Sequence, residues 1–164
     1  MIRIAGVIRE SIVDGKGLRF TLFTQGCPHR CKGCHNPETH DINGGYDISA
    51  EKIIAEFNKN PLLAGITFSG GEPMLQAKEL IPVAKAVTEK GKNCWIYSGW
   101  TFEELLSKND ESINKLLSLC EVLVDGKFIE EEKDLNLLFR GSKNQRLIDL
   151  TKSLKENYAI LYEE

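Results

Sequence analysis

The feature that most constrains this chain is the regular alternation of short apolar strand patterns with amphipathic helix patterns. Strand patterns lie at residues 18–24, 65–69, 93–97 and 121–125. Such alternation predicts parallel strands joined by crossover helices. A closed barrel of eight such units needs about 250 residues, and the chain has 164. We therefore predict one α/β domain over residues 1–164, with a mostly parallel sheet that forms at most a partial (β/α) barrel.

Start and stop signals support the helices between these strands. Residues 49–59 predict an amphipathic helix with Ser49 as its N-cap. Thr101 begins a capping box, and the helix that follows is interrupted near residues 109–110. Beyond the fourth strand the pattern is less regular, and residues 158–162 predict a last strand.

Charge and hydropathy exclude several classes of protein. A net charge of −3 does not favour a nucleic-acid-binding protein, which needs a basic excess on one face. No stretch approaches the roughly 18–20 apolar residues of a membrane span. Arg3, Arg9 and Glu10 fall where a signal peptide needs an apolar segment. We therefore expect a cytoplasmic protein that binds neither nucleic acid nor a membrane.

Three of the five cysteines lie within eight residues, in the spacing C-x₃-C-x₂-C. They are Cys27, Cys31 and Cys34. In a reducing compartment, clustered thiols indicate metal ligands rather than disulfides. Two centres remain open on the residues alone: zinc completed by a nearby histidine, or an iron–sulfur cluster with three protein ligands and one open iron. The other two cysteines, Cys94 and Cys120, lie in apolar runs and are predicted to be buried packing residues.

Distinctive motifs follow the predicted strands. The cysteine motif follows the first strand, and Ser-Gly-Gly-Glu-Pro at 69–73 lies at the end of the second strand. Tyr-Ser-Gly at 97–99 lies at the end of the third strand, and Asp-Gly-Lys at 125–127 at the end of the fourth. Ligands of parallel α/β sheets bind at the carboxyl ends of the strands, so these motifs should line one site. Paired glycines let a backbone approach a ligand closely, and successive N–H groups can hold an anion.

In combination these motifs resemble a known family. C-x₃-C-x₂-C followed by a Gly-Gly-Glu strand end is similar to the radical S-adenosylmethionine (SAM) enzymes. Asp-Gly-Lys-Gly-Leu-Arg at 14–19, ahead of Thr-Gln-Gly-Cys at 24–27, resembles the glycyl-radical-enzyme activases among them. Cys-His-Asn-Pro-Glu-Thr at 34–39, Val-Asp-Gly-Lys-Phe at 124–128 and the short chain narrow the resemblance to activases of anaerobic ribonucleotide reductases. It covers residues 12–146.

The resemblance implies a radical-SAM-type partial barrel whose three clustered cysteines ligate a 4Fe–4S cluster, with SAM on the fourth iron. The reduced cluster would cleave SAM, and the 5′-deoxyadenosyl radical would take hydrogen from a glycine of the partner. That partner would be the glycyl radical subunit of an anaerobic ribonucleoside-triphosphate reductase, with reduced flavodoxin or ferredoxin as electron donor. Because the chain is too short to close a barrel, we expect an open site that admits the glycine loop directly.

Two other functions remain open. Within the same chemistry, the chain would activate a different glycyl radical enzyme, such as pyruvate formate-lyase. From another class, it would be a small zinc-binding interaction module that unfolds when the metal is chelated.

The resemblance also implies which residues bind SAM. They are Gly33, Cys34, His35, Gly70, Gly71 and Glu72. The first three would line the adenine side, and the two adjacent glycines would meet the methionine part through their backbone. The Glu72 carboxylate would either pair with the SAM ammonium group or fix the turn.

Asp125 and Lys127 match an Asp-x-Lys pair of related activases. There the aspartate helps to hold a monovalent cation beside SAM, and the lysine is important for activity. A strand-end turn with a solvated lysine is equally compatible with the motif. Arg140, Lys143 and Arg146 form a basic patch, which we interpret as a solvated surface rather than a contact to the reductase or to a flavodoxin. His29 and His40 are assigned no role.

Overall fold

The computed structural model describes residues 1–163 and contains seven strands and five α-helices. The strands are β1 (Ile2–Ser11), β2 (Arg19–Thr24), β3 (Tyr46–Ile48), β4 (Gly65–Gly70), β5 (Asn93–Ser98), β6 (Val122–Asp125) and β7 (Arg146–Asp149). The helices are α1 (Ala50–Asn58), α2 (Ala77–Glu89), α3 (Phe102–Ser107), α4 (Glu111–Leu119) and α5 (Leu150–Glu156). Among residues 1–163, no helix is long and apolar enough to cross a membrane.

The strands form one sheet in the order β3-β1-β2-β4-β5-β6-β7. The four central strands, β2, β4, β5 and β6, run parallel. The other three strands, β1 and the two edge strands β3 and β7, are antiparallel to their neighbours. The prediction of an α/β fold is confirmed, and the parallel strands form its centre. The strands at the two ends of the order, β3 and β7, do not pair with each other, so the sheet stays open.

The local signals for the helices are confirmed. Ser49 caps α1 by accepting a hydrogen bond from the Lys52 amide. Thr101 and Glu104 form a reciprocal capping box at the start of α3. The predicted interruption separates α3 from α4, whose N-cap is Asp110.

The predicted last strand at residues 158–162 is wrong. Of this segment only Leu161 makes a β-bridge, to Ile148 of β7. The true last strand, β7, lies earlier and leads directly into α5, with Asp149 as the N-cap. Four elements, β1, β3, β7 and α5, were not predicted from the sequence. Three of these are antiparallel strands at the two ends of the sheet order, and their pairing depends on distant neighbours more than on local patterns.

The two faces of the sheet are covered differently. On one face, Ile66 and Phe68 of β4 are fully buried in the large apolar cluster to which the helices contribute. On the other face, Trp95 of β5 belongs to a smaller cluster with three further buried residues. They are Val122, Val124 and Leu147. Because side chains alternate along a strand, the same strands supply a thick core on one side and a thinner one on the other.

A buried arginine fixes the segment before β2 on the thinner side. The Arg19 guanidinium is fully buried and donates to Thr67 Oγ1 at 2.7 Å and to the Lys16 carbonyl at 2.9 Å. It also lies over the Trp95 ring, 5.4 Å from the centroid. Burial lowers the pKa of Arg19 to about 10, so the side chain still carries its charge at neutral pH. The Asp-Gly-Lys-Gly-Leu-Arg motif is thereby tied to the sheet.

Candidate active site

A cavity of about 730 Å³ opens on the side of the sheet away from the helices. The ends of the parallel strands reach it: Ser69 and Gly70 from β4, Tyr97 and Ser98 from β5. Among the other lining residues are Cys27, Cys31, Cys34, His35, Gly71, Gly99, Gly126 and Lys127. The motifs that are far apart in the sequence therefore lie around a single space.

The cysteine loop, residues 26–40, is held at both of its ends. The Gly26 amide donates to the Thr39 carbonyl at 2.6 Å, and the Cys27 amide donates to the His40 carbonyl at 3.2 Å. The Gln25 side chain spans the base of the loop by donating to the carbonyls of Glu38 at 2.9 Å and of Asp41 at 2.7 Å. These bonds close the loop, so the three cysteines project from a fixed base.

The cysteine thiols have environments suited to an iron–sulfur cluster. All three thiols are partly exposed. Burial raises the pKa of the Cys27 and Cys34 thiols, so without a metal they keep their protons at neutral pH. The Asn36 amide donates to Cys34 Sγ at 3.4 Å, and the nearby backbone of His29 and Arg30 partly offsets the rise in the pKa of Cys27. Such N–H···S bonds help to set the potential of iron–sulfur clusters.

The chemistry of the donor set fits a cluster with three protein ligands. Three soft thiolate donors on one loop suit iron–sulfur chemistry, and they face a cavity with room for a further ligand. Within residues 1–163, no group of three or more His, Cys, Asp or Glu side chains is arranged as the ligands of a metal ion. The fit therefore rests on the type and placement of the donors and not on a preformed coordination geometry.

Of the three residues predicted to lie on the adenine side, Cys34 and His35 line the cavity and Gly33 does not. His35 lines the cavity and packs edge-to-face against Phe128, with ring centroids 5.3 Å apart. Gly33 has a φ of +76°, and a Cβ added there would lie 3.1 Å from the Glu130 side chain. Gly33 thus permits the loop to pack against residues 130–132, while His35 presents a ring to the cavity.

Gly70 and Gly71 are required by close contacts within the protein as well as by the cavity. Gly70 has a φ of +98°, and a Cβ added to it would lie 2.4 Å from the Thr24 amide nitrogen. A Cβ on Gly71 would lie 2.4 Å from the Gly26 carbonyl oxygen. The glycine pair therefore lets the end of β4 approach the start of the cysteine loop while its backbone still lines the cavity.

Glu72 does not line the cavity, although residues bonded to it do. Its side chain is fully buried and caps the short 3₁₀ helix Pro73–Gln76 through the Met74 amide. The same carboxylate accepts hydrogen bonds from His29 and from the end of β5. Of the two interpretations of Glu72, this geometry supports the turn-fixing one.

Asp125 is also engaged by the protein's own donors. Its carboxylate is 1% exposed and accepts from Arg146 Nε at 3.1 Å, from Arg146 Nη2 at 2.6 Å and from the Phe102 amide at 2.7 Å. Arg146 also pairs with Glu103 at 2.6 Å. The residues around Asp125 therefore do not fit the monovalent cation implied by the resemblance, because a guanidinium already supplies the positive charge. Lys127 is exposed and lines the cavity.

The interpretation of Arg146 as a solvated surface residue is wrong. Its hydrogen bonds to Asp125 and Glu103 raise the pKa of Arg146. In return, Arg146 lowers the pKa of Glu103. The pairing arises because Asp125 and Arg146 are register partners in the β6–β7 ladder. Sequence reasoning missed it because it did not place β7.

Tyr97 was predicted to line the site, but its bond to residues 135–141 and the apolar rim of the cavity were not predicted from the sequence. The Tyr97 hydroxyl donates to the Phe139 carbonyl, and burial raises the pKa of Tyr97. This bond ties the segment of residues 135–141 over the cavity. Ile12 and Leu135 contribute exposed apolar side chains to the rim. The sequence signal available for this part of the site was the group of leucines at 135, 137 and 138, in a segment with no regular strand or helix pattern.

Comparison with known proteins places the chain among iron–sulfur activating enzymes. Residues 13–148 match the family described as a 4Fe-4S single cluster domain. The anaerobic ribonucleoside-triphosphate reductase-activating protein of Vibrio cholerae is 42% identical over 142 residues, covering 82% of this chain and 89% of that protein. The protein of the same name from Escherichia coli K12 is 34% identical over 142 residues, covering 82% and 90%.

One further relative and one solved structure match a smaller share of the chain. The pyruvate formate-lyase-activating enzyme of Clostridium pasteurianum is 37% identical over 119 residues, which are 67% of this chain and 50% of that enzyme. Among solved structures, QueE from Escherichia coli matches with a TM-score of 0.47 and 20% identity, covering 61% of this chain and 53% of that one.

Proposed function

Because this chain belongs to the family of anaerobic ribonucleoside-triphosphate reductase-activating proteins, we propose that it activates such a reductase by forming a glycyl radical in it. The observation that carries the proposal is that three partly exposed thiols share one cavity with the glycine turn at the end of β4. When bound, a reduced 4Fe–4S cluster would supply the electron that cleaves SAM to methionine and a 5′-deoxyadenosyl radical, which takes a hydrogen atom from the reductase glycine.

The cysteine loop performs the metal-binding part of this function. Cys27, Cys31 and Cys34 would each bind one iron and release a proton as they do so, because metal ligation requires the thiolate. The Asn36 amide, which donates to Cys34 Sγ, stabilises the charge of that sulfur and so favours the bound state. SAM would complete the coordination of the fourth iron from the cavity side.

The cavity walls orient SAM. Its volume of about 730 Å³ lies within the roughly 300–1,000 Å³ of typical small-molecule sites. We assign the adenine to the wall that bears Cys34 and His35, with Gly33 shaping that turn, and the methionine part to the backbone of Gly70 and Gly71. Lys127 lies at the same cavity and would face the anionic part of the ligand. Asp125 would not touch SAM; it ends β6 directly before Gly126 and Lys127, which line the cavity, and its bonds to Arg146 and to the Phe102 amide hold that strand end in place.

A protein segment is the best match to the mouth of the cavity. Apolar side chains stand exposed along its rim, with Ile12 at 73% and Leu135 at 83% relative exposure. Val13 and Leu138 extend the same rim and are also exposed. Exposed apolar residues grouped in this way mark interaction surfaces. They support docking of an extended glycine-bearing loop of the reductase. Reduced flavodoxin or ferredoxin would supply the electron, in the cytoplasm, where thiols stay reduced.

An anaerobic assay tests this function. The protein is reconstituted with iron and sulfide, reduced and mixed with SAM, with and without the reductase. We expect 5′-deoxyadenosine and, with the reductase present, the doublet of a glycyl radical in the electron paramagnetic resonance spectrum. Failure to take up iron, together with tight binding of zinc, would overturn the enzyme function in favour of a zinc-binding module.

A second target is supported by one of the comparisons. The chain is 37% identical to a pyruvate formate-lyase-activating enzyme over 119 residues. If the assay gives 5′-deoxyadenosine but no doublet on the reductase, the same measurement should be repeated with pyruvate formate-lyase. A doublet on that enzyme alone would transfer the function to it and leave the chemistry unchanged.

A further inference from the structure

The Glu72 carboxylate joins three segments that are far apart in the sequence. Its Oε1 accepts from His29 Nε2 at 2.6 Å, from Ser98 Oγ at 3.0 Å and from the Gly99 amide at 2.7 Å. Its Oε2 accepts from the Met74 amide at 3.1 Å. The carboxylate is completely buried, so these donors replace its water of solvation. Glu72 therefore links the cysteine loop to the ends of β4 and β5.

The His29 ring is held in one position. Its side chain is 5% exposed and packs edge-to-face on Trp100, with ring centroids 4.7 Å apart. On another side lies Gly99, where an added Cβ would come within 2.3 Å of the ring. Any residue other than glycine at position 99 would displace the histidine. The ring is therefore enclosed by Gly99, Trp100 and Glu72.

The backbone repeats the same connection beside the ring. The Glu72 amide donates to the Gly26 carbonyl at 2.8 Å, and the Gly71 amide donates to the Thr24 carbonyl at 2.9 Å. The residue before Cys27 is thus bonded directly to the glycine turn. The His29 side chain adds a second attachment two residues after Cys27, so the Cys27 position is fixed from both sides.

We infer that His29 and Glu72 are positioning residues for the cluster, an inference that rests on the proposed binding of a cluster by the three cysteines. The geometry assigns Glu72 to the protein anchor and not to the SAM ammonium group. Because His29 lies two residues after Cys27, and the Glu72 amide bonds to the Gly26 carbonyl just before it, fixing the histidine also fixes the position of a cluster ligand. Such outer-shell bonds orient ligands and tune the metal centre.

The first test is amide hydrogen exchange of residues 27–34 in the protein without cluster, so it does not depend on the proposed function. Removing the anchor by His29→Ala should speed exchange in this segment by about tenfold, since opening no longer breaks a buried hydrogen bond to a charged acceptor. His29→Gln can still donate to Glu72 and should restore protection to within about threefold of the unaltered protein. Unchanged exchange in His29→Ala would overturn the anchor.

The second test separates the anchor from contact with SAM. In reconstituted protein, Glu72→Gln should shift the reduction potential and the electron paramagnetic resonance signature of the cluster. The affinity for SAM, normalised to cluster content, should change less than about threefold, because Glu72 does not line the cavity. An unchanged signature combined with a loss of affinity of tenfold or more would assign Glu72 to the ammonium group and overturn the inference.

Two matched variants complete the design. Glu130→Gln removes a partly exposed charge that also lies against the cysteine loop, beside Gly33, and it should leave the exchange of residues 27–34 unchanged. Ser98→Ala removes one donor from the same carboxylate without touching His29. It should speed exchange less than His29→Ala does, and it remains informative if Glu72→Gln fails to fold. Equal effects of Ser98→Ala and His29→Ala would show general loosening and overturn the specific role of His29.

Discussion

The two faces of the sheet are built from alternating residues of the same strands, yet they serve different purposes. On the helix side, Ile66, Phe68 and Ile96 are fully buried in one continuous apolar cluster. On the cavity side, neighbouring positions of β4 carry polar groups. Thr67 accepts a hydrogen bond from the buried Arg19, and Ser69 lines the cavity. Because neighbouring residues of a strand point to opposite faces, stability and chemistry are assigned to separate sets of positions.

The cavity side is also where the unsatisfied polar atoms lie. Within residues 1–163, four buried side-chain atoms have no hydrogen-bond partner in the chain: His40 Nε2, Asn93 Oδ1, Trp95 Nε1 and Arg140 Nε. His40 and Arg140 line the cavity, and Asn93 and Trp95 lie on β5 at positions that alternate with those of the helix side. Buried polar groups without partners are costly, so this face gives up stability that the helix side keeps.

The largest expected effect is that of replacing a cluster cysteine, which should remove SAM cleavage and leave the fold intact. Cys31→Ala should abolish SAM cleavage, because one iron would lose its protein ligand. The free energy of unfolding without the cluster should change by less than about 1 kcal/mol, since the residue is on a partly exposed loop. Formation of 5′-deoxyadenosine and urea denaturation measure the two outcomes. Cleavage that survived would contradict the cluster assignment.

A buried cysteine is the matched control for that variant. Cys120 is buried; its hydrogen bond with Cys94, together with burial, raises the pKa of its thiol well above the usual range. Cys120→Ala should therefore retain cluster uptake and SAM cleavage and lower the free energy of unfolding by about 1 kcal/mol. Loss of the cluster in this variant would show that the packing role is incomplete.

A substitution on the helix side of the sheet should have the opposite result, lower stability with unchanged cluster binding. Phe68→Ala removes a fully buried ring and should lower the free energy of unfolding by about 3–5 kcal/mol. Cluster content per folded molecule should be unchanged, because the cavity is built from the opposite face. Urea denaturation and iron analysis of the folded fraction measure both quantities. Phe68→Leu gives a milder version if the alanine variant does not fold, and reduced iron uptake by either would break the separation of the faces.

An intermediate effect is expected at Asp125. Arg146→Gln leaves this buried carboxylate with fewer donors, so the free energy of unfolding should fall by about 1–3 kcal/mol. In the unaltered protein, SAM affinity should be the same in sodium, potassium and choline chloride, because the Arg146 guanidinium already neutralises the Asp125 carboxylate. The variant should bind SAM more tightly in sodium or potassium than in choline. A strong cation requirement in the unaltered protein would contradict this role of Arg146.

The smallest effect is expected at the exposed partner of the same arginine. Arg146 lowers the pKa of Glu103, so Glu103 stabilises the folded state above its unfolded pKa of about 4.3, and this contribution is lost as the pH falls through the lower, folded value. Glu103→Gln should therefore cost less than about 1 kcal/mol at pH 7. The difference from the unaltered protein should disappear near pH 3, as measured by denaturation at both pH values.

Much of the chemistry could be predicted because its signals are local. The spacing of Cys27, Cys31 and Cys34, the glycine pair after β4 and the caps at Ser49 and Thr101 each lie within a few residues of the sequence. A cap forms between residues three positions apart, and three thiols clustered on one loop of a protein in a reducing compartment indicate metal ligands. For such features the sequence alone was sufficient.

The partners of the buried carboxylates were decided only by the tertiary structure. Glu72 meets His29 across 43 residues, and Asp125 meets Arg146 across 21. Each contact depends on strand order, on register and on which way a side chain turns at a strand end. These follow from the packing of the whole sheet and not from the identity of neighbouring residues. The sequence by itself determined which groups carry the proposed chemistry, and the fold decided which of the charged groups beside them line the cavity and which are bonded within the protein.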